Sequence, residues 1–149
     1  SWARMDEGYM VPNGPAFSPC GRWLYHADTA LRTIYRFALT DQGLVDRQVF
    51  ARFGEDEGYP DGMTMDAEGF LWVAHWDGGR VSRFDELGRR ERTIVLPASR
   101  ITNITFAGAE LDRMFVTSAA VGLDPSGYDG ALFEVEAGVK GLPTFAYAG

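Results

Sequence analysis

The sequence predicts an all-β fold: a β-propeller of about three four-stranded blades. Two observations predict it. The chain repeats itself, because similar segments are headed by Asn13, Asp61 and Asn103, spaced 48 and then 42 residues apart. Four short strands in roughly 40 to 50 residues mark a propeller blade. The second observation is composition. With Gly 18, Pro 7, Trp 4, Tyr 6 and Phe 10, the chain is rich in turn formers and strand formers, and no window shows apolar residues at i, i+3, i+4 and i+7 between helix caps.

Each element follows in order. The first repeat, residues 12–53, runs from Asn13 through "GPAF", the turn "SPCG", the strand "WLYHAD", the strand "TIYRFAL" and a fourth segment "RQVFARF". The second, 60–97, runs from Asp61 through "GMTM", "DAEG", "LWVAHW", "RVSRFDE" and "RERTIVLP". The third, 101–136, runs from Asn103 through "ITFA", "GAELD" and "MFVTSA", and after an insertion to "ALFEVE". One domain over 1–149 is expected. In "FLWVAHW", Leu71, Val73 and His75 face one way and Trp72, Ala74 and Trp76 the other. Both faces are apolar, which suits a sheet packed between two neighbours.

Other features take plainer readings. Trp72 and Trp76 read as inter-blade core. His26 and His75 hold the same place in their repeats and read as packed, hydrogen-bonded histidines. Asp28 and Asp77 read as turn residues. The insertion at 121–130 reads as a loop bordering the central channel.

Bulk properties exclude several classes. The net charge is −7 and the largest basic cluster is "GRRER" (88–92). An acidic chain repels a phosphate backbone, so nucleic acid is not an expected partner. No apolar run approaches the roughly 18–20 residues of a membrane helix, and no signal peptide is visible in "SWARMDEGYMVPNG". The single cysteine, Cys20 in the turn "SPCG", fits a reducing compartment. A cytoplasmic location is the expectation.

The segments "NGPAFSPCGRWLYHADT", "PDGMTMDAEGFLWVAHWDGGRVSRFD", "ITNITFAG…LDRMFVTSA" and "GVKGLPTFAYAG" resemble the senescence marker protein / regucalcin / gluconolactonase family, specifically its C-terminal half. The resemblance implies half of a six-bladed ring and one divalent cation in the channel: Ca, Zn, Mn or Mg. It implies that Asn13 and Asp61 are two of the metal ligands. The family's third ligand, a glutamate from the first blade, has no counterpart here. The implied substrate is a sugar lactone and the implied activity is a metal-dependent hydrolysis.

The residues agree with that implication. The start of an inner strand points into the mouth of a propeller channel, so Asn13, Asp61 and Asn103 converge near the axis. Carboxylate and amide oxygens are hard ligands for such cations. Pro60 and Gly62 fix the backbone around Asp61. Asp61 is expected to ligate the cation, to act as the catalytic base on water, or both. Asn103 is expected to bind substrate. Three blades leave two apolar faces open, so pairing into a homodimer is expected if these residues form the whole protein. The competing reading is a non-catalytic truncated propeller that serves as a binding or calcium-binding module.

Overall fold

The structure is a computed structural model and describes residues 2–123 and 127–143. It holds three antiparallel sheets. The first comprises β1 (Pro12–Phe17), β2 (Trp23–Asp28), β3 (Thr33–Thr40) and β4 (Gly43–Arg52), hydrogen-bonded in that order. The second comprises β5 (Tyr59–Met65), β6 (Leu71–Trp76), β7 (Arg80–Phe84) and β8 (Arg90–Val95), again in order. The third comprises β9 (Arg100–Ala107), β10 (Arg113–Ala119) and β11 (Leu132–Val135). A short 3-10 turn at Glu55–Glu57 joins the first two sheets. The innermost strands β1, β5 and β9 lie side by side. The fold is the expected stack of propeller blades. Among the described residues the third blade has three strands.

Alternation along the strands builds two cores. Leu71 and Val73 of β6 pack toward the first blade with Tyr25, Ala27, Ile34 and Met63. Trp72 and Ala74 pack toward the third with Ile101, Met114 and Val116. The middle blade is therefore apolar on both faces, as its sequence predicts. Burying one such aliphatic side chain contributes about 1.5–3 kcal/mol, so the two interfaces fix the blades against each other.

One polar cluster sits inside this packing. Asp66, fully buried, accepts from the amides of Glu68 and Phe70 at 3.0 Å, from Trp72 Nε1 at 2.9 Å and from Arg83 Nε at 2.7 Å. Arg83 also reaches Glu68 and Glu91 and lies over the Phe70 ring. The other amides of the turn "DAEG", those of Asp66, Ala67 and Gly69, donate to the carbonyls of Phe70, Lys140 and Asp66. Trp72 is core, as expected. Trp76 is not: it is half-buried at the end of β6, with the Arg100 guanidinium over its ring at 5.0 Å.

Candidate functional site

Each inner strand bulges near its first residues. In β1, Asn13 pairs with Ala27 and Ala16 with Tyr25, which leaves Gly14 and Pro15 together opposite His26. In β5, Pro60 pairs with His75 and Met63 with Val73, which leaves Asp61 and Gly62 together opposite Ala74. In β9 and β10, Asn103 pairs with Thr117 but Ile101 with Ser118, so Thr102 is the extra residue. A bulge re-aims side chains at a sheet edge. Asn13 stands just before its bulge across from Ala27, Asp61 stands within its bulge across from Ala74, and Asn103 stands just after its bulge, midway along β9, across from Thr117.

Two glycines permit the crowding. Gly14 has φ +95, where a side chain is strained. At Gly62 an added Cβ would lie 2.6 Å from the Thr102 carbonyl oxygen and against the Asn103 amide. The inner strand of the third blade is pressed onto the bulge of the second.

The polar partners are specific. Asn13 Nδ2 donates to Thr29 Oγ1 at 2.8 Å, and Thr29 Oγ1 donates to the Pro60 carbonyl at 2.6 Å. Thr29 follows β2 directly and joins Asn13 to the peptide that carries Asp61. Asn103 Oδ1 accepts from the Ile104 amide at 2.9 Å. Its Nδ2 has no partner among the described residues. Asp61 is half-buried, and burial raises its carboxyl to about 6, opposed by the Gly62 amide. Among the described residues no cationic side chain is paired with it. A cavity of about 190 Å³ continues along the same strands, lined by Pro15, Met63, Thr64 and Thr105 among others.

The donor set suits an oxygen-preferring divalent cation. Asp61 offers a carboxylate in want of a positive charge, and Asn13 offers an amide oxygen free of any partner among the described residues. These are two donors. The described residues hold no group of three or more His, Cys, Asp and Glu side chains able to bind a metal. An ion here keeps most of its positions for water, substrate or donors from elsewhere.

The remaining candidates lie apart. His75 is fully buried in the interface with the first blade: Nδ1 donates to the Glu57 carbonyl at 2.7 Å, and the ring stacks on Phe53 at 4.2 Å. Burial lowers its pKa to about 4. His26, whose pKa burial also lowers, meets Tyr9 edge-on at 4.5 Å. Both are packed histidines, but they are not equivalent. Pro12 pairs with Asp28 as Pro60 pairs with His75, so Asp28 holds the place of His75. Asp28 is buried and accepts from the Met10 and Val11 amides. Asp77 is a turn residue with φ +56, paired with Arg100. Cys20 is exposed. Ser18 and Arg22 lower its pKa to about 7. It lies in a cleft of about 800 Å³ at the opposite end of the sheets, formed by the turns around residues 18–22, 66–70 and 85–89. In the 121–130 loop, Asp129 accepts from the Ser99 amide at 2.7 Å; residues 124–126 of that loop, and 144–149 of the closing motif, lie outside the described residues.

Sequence reasoning missed Thr29 and the Asp66–Arg83 pair. Neither shows in strand alternation. The one sequence signal that could have found Thr29 is its place directly after the "HAD" strand end.

Comparison with known proteins gives a consistent picture. The model of the SMP-30/gluconolactonase/LRE-like region matches residues 1–120. Regucalcin of Danio rerio is 39% identical over all of this chain and 54% of its own length. A pentonolactonase of Haloferax volcanii is 34% identical over 95% of this chain and 52% of its own length. A calcium-binding regucalcin of Agrobacterium tumefaciens superposes with a TM-score of 0.81 and 32% identity, covering 90% of this chain and 48% of that one. A gluconolactonase of Xanthomonas campestris gives a TM-score of 0.68 at 36% identity, covering 76% of this chain and 36% of that one. The chain spans about half the length of the curated relatives it matches.

Proposed function

Since the chain belongs to the SMP-30/gluconolactonase/LRE-like family, we propose that it forms part of a metal-dependent hydrolase of sugar lactones, supplying Asn13 and Asp61 to one divalent cation. The observation that carries this reading is the Asp61 carboxylate, half-buried and without a cationic partner among the described residues, on the bulge tied to Asn13 through Thr29. The names of the relatives support the substrate class: one is a pentonolactonase and another a gluconolactonase.

A bound cation supplies Lewis-acid polarisation of a lactone carbonyl. The chain's own residues do the rest. Asn13 presents Oδ1 to the ion. Asp61 would present a carboxylate oxygen, take the proton of the attacking water and return it to the ring oxygen as the acyl C–O bond breaks, so that the ring opens to the hydroxy acid. Asn103 offers its unpartnered Nδ2 as a donor to a substrate oxygen. The ion is Ca, Mn, Zn or Mg, since oxygen donors accommodate each. Further donors come from additional blades or from a second copy of this chain, and a homodimer that closes the ring is the arrangement we propose for these residues alone.

The test is hydrolysis of glucono- and pentonolactones with and without divalent cation, with Asp61→Ala as control, alongside solution mass by light scattering. Cation-stimulated hydrolysis that Asp61→Ala abolishes is the expected result. Equal hydrolysis by both proteins, or none from a particle of dimer mass, contradicts it. A second reading, a cation-binding module without catalysis, draws support from the count of only two donors in this chain. It predicts cation uptake with no turnover at any particle mass.

A further inference from the structure

The bond pattern around Thr29 fixes more than a contact. A hydroxyl has one hydrogen. The Pro60 carbonyl is only an acceptor, so at 2.6 Å the Thr29 hydrogen must point to it. Thr29 Oγ1 can then only accept from Asn13, at 2.8 Å. Asn13 must turn its NH2 toward Thr29 and its Oδ1 away. The acceptor carbonyl belongs to the Pro60–Asp61 peptide, so the same hydroxyl restrains the backbone that carries Asp61. Thr29 is itself held in place, because its amide donates to the Val11 carbonyl at 2.9 Å.

We infer that Thr29 is a positioning residue for the cation site: one hydroxyl sets the orientation of the Asn13 amide and locks the Asp61 bulge into the same frame, across two blades. The inference rests on the ligand roles proposed above for Asn13 and Asp61. A valine at position 29 keeps the shape and removes both hydrogen bonds. Asn13 is then free to flip, and in half of its orientations it presents a donor, not an acceptor, to a cation. Residues that orient metal ligands typically account for about 10–100-fold in affinity.

The experiment uses the full chain and Mn²⁺ as the probe, titrated by calorimetry, with Thr29→Val, Thr29→Ser and Thr29→Ala compared by circular dichroism first. The side-chain Nδ2 resonances of Asn13 are followed by NMR in parallel. The expected result is a 10–100-fold loss of Mn²⁺ affinity in Thr29→Val, wild-type affinity in Thr29→Ser, and a shifted, averaged Asn13 Nδ2 signal in Thr29→Val alone of those two. If Thr29→Val does not fold, Thr29→Ala carries the same comparison. Mn²⁺ binding by Thr29→Val as tight as by wild type overturns the role of Thr29 and leaves the proposed site standing. If the wild type takes up no Mn²⁺, the ligand assignment fails separately, and the NMR signal decides: an Asn13 resonance unchanged in Thr29→Val overturns the bridge as well.

Discussion

Asp66 Oδ2 accepts from Arg83 Nε at 2.7 Å, with the two side chains only 0% and 3% exposed. The pair lies beneath the β5–β6 turn, where Asp66 also receives two backbone amides and the Trp72 indole. Removing one partner strands a buried charge. Arg83→Met should destabilise the fold by about 3–5 kcal/mol, measured by urea unfolding. A loss within about 1 kcal/mol, the range of a water-exposed pair, would contradict a closed network.

His75 makes stability depend on acid. Its ring is fully buried, its Nε2 has no partner among the described residues, and its pKa falls from 6.5 to about 4. The unfolded chain therefore binds a proton that the folded one refuses. Stability from this residue is intact above pH 6.5 and drains away as pH falls toward 4, by about 3 kcal/mol in all. His75→Phe keeps the stack on Phe53 and loses the titration, although it also loses the bond to Glu57. Its stability should be flatter with pH across that window than that of the wild type. Parallel pH profiles would show that water reaches the imidazole.

Gly62 lies where the second and third inner strands approach closely. Gly62→Ala would place a Cβ 2.6 Å from the Thr102 carbonyl oxygen, a backbone atom with little room to yield. The expected cost is about 1–3 kcal/mol of overpacking, together with a displaced Asn103. Thermal unfolding checks the first and the Asn103 side-chain NMR signal the second. An unchanged melting temperature would mean that the strands separate freely.

The blades were legible in the sequence because alternation is local. Leu71 and Val73 against Trp72 and Ala74 can be read from six letters, and each pair lies in the core facing its own neighbour. The repeat also brought Asn13, Asp61 and Asn103 to the bulged part of their inner strands, each at a different place relative to its bulge. What stayed hidden depends on contacts between distant segments. Thr29 reaches Pro60 across 31 residues, and Arg83 reaches Asp66 across 17. A turn adds a further obscurity: six residues separate the paired Phe17 and Leu24 but five separate the paired Met65 and Leu71, so His26 and His75 look alike in sequence yet Asp28 is the counterpart of His75. Trp76 sits one residue beyond the apolar interface, at the strand end, where periodicity alone continues the core.

The Asp61 carboxylate links the site to stability with the opposite sign from His75. Burial raises its pKa from 3.8 to about 6, so the folded chain holds a proton that the unfolded chain releases. Stability therefore falls as pH rises from about 4 to 6, and above that range the buried charge remains a burden. Asp61→Asn should be more stable than the wild type at pH 7.5, by about 1 kcal/mol once screening by water over the exposed half is allowed for. At pH 4 the advantage should vanish. A cation that bound the folded carboxylate would stabilise the fold by mass action and offset that burden.

The most direct test is thermal unfolding at pH 7.5 of the wild type and Asp61→Asn, each with and without millimolar Mn²⁺ or Ca²⁺. With a cation site at Asp61, the metal-free variant melts higher than the wild type, and the cation raises the wild type while leaving the variant where it was. An equal rise in both proteins, or a wild type that does not respond to either cation, would contradict a cation site at Asp61.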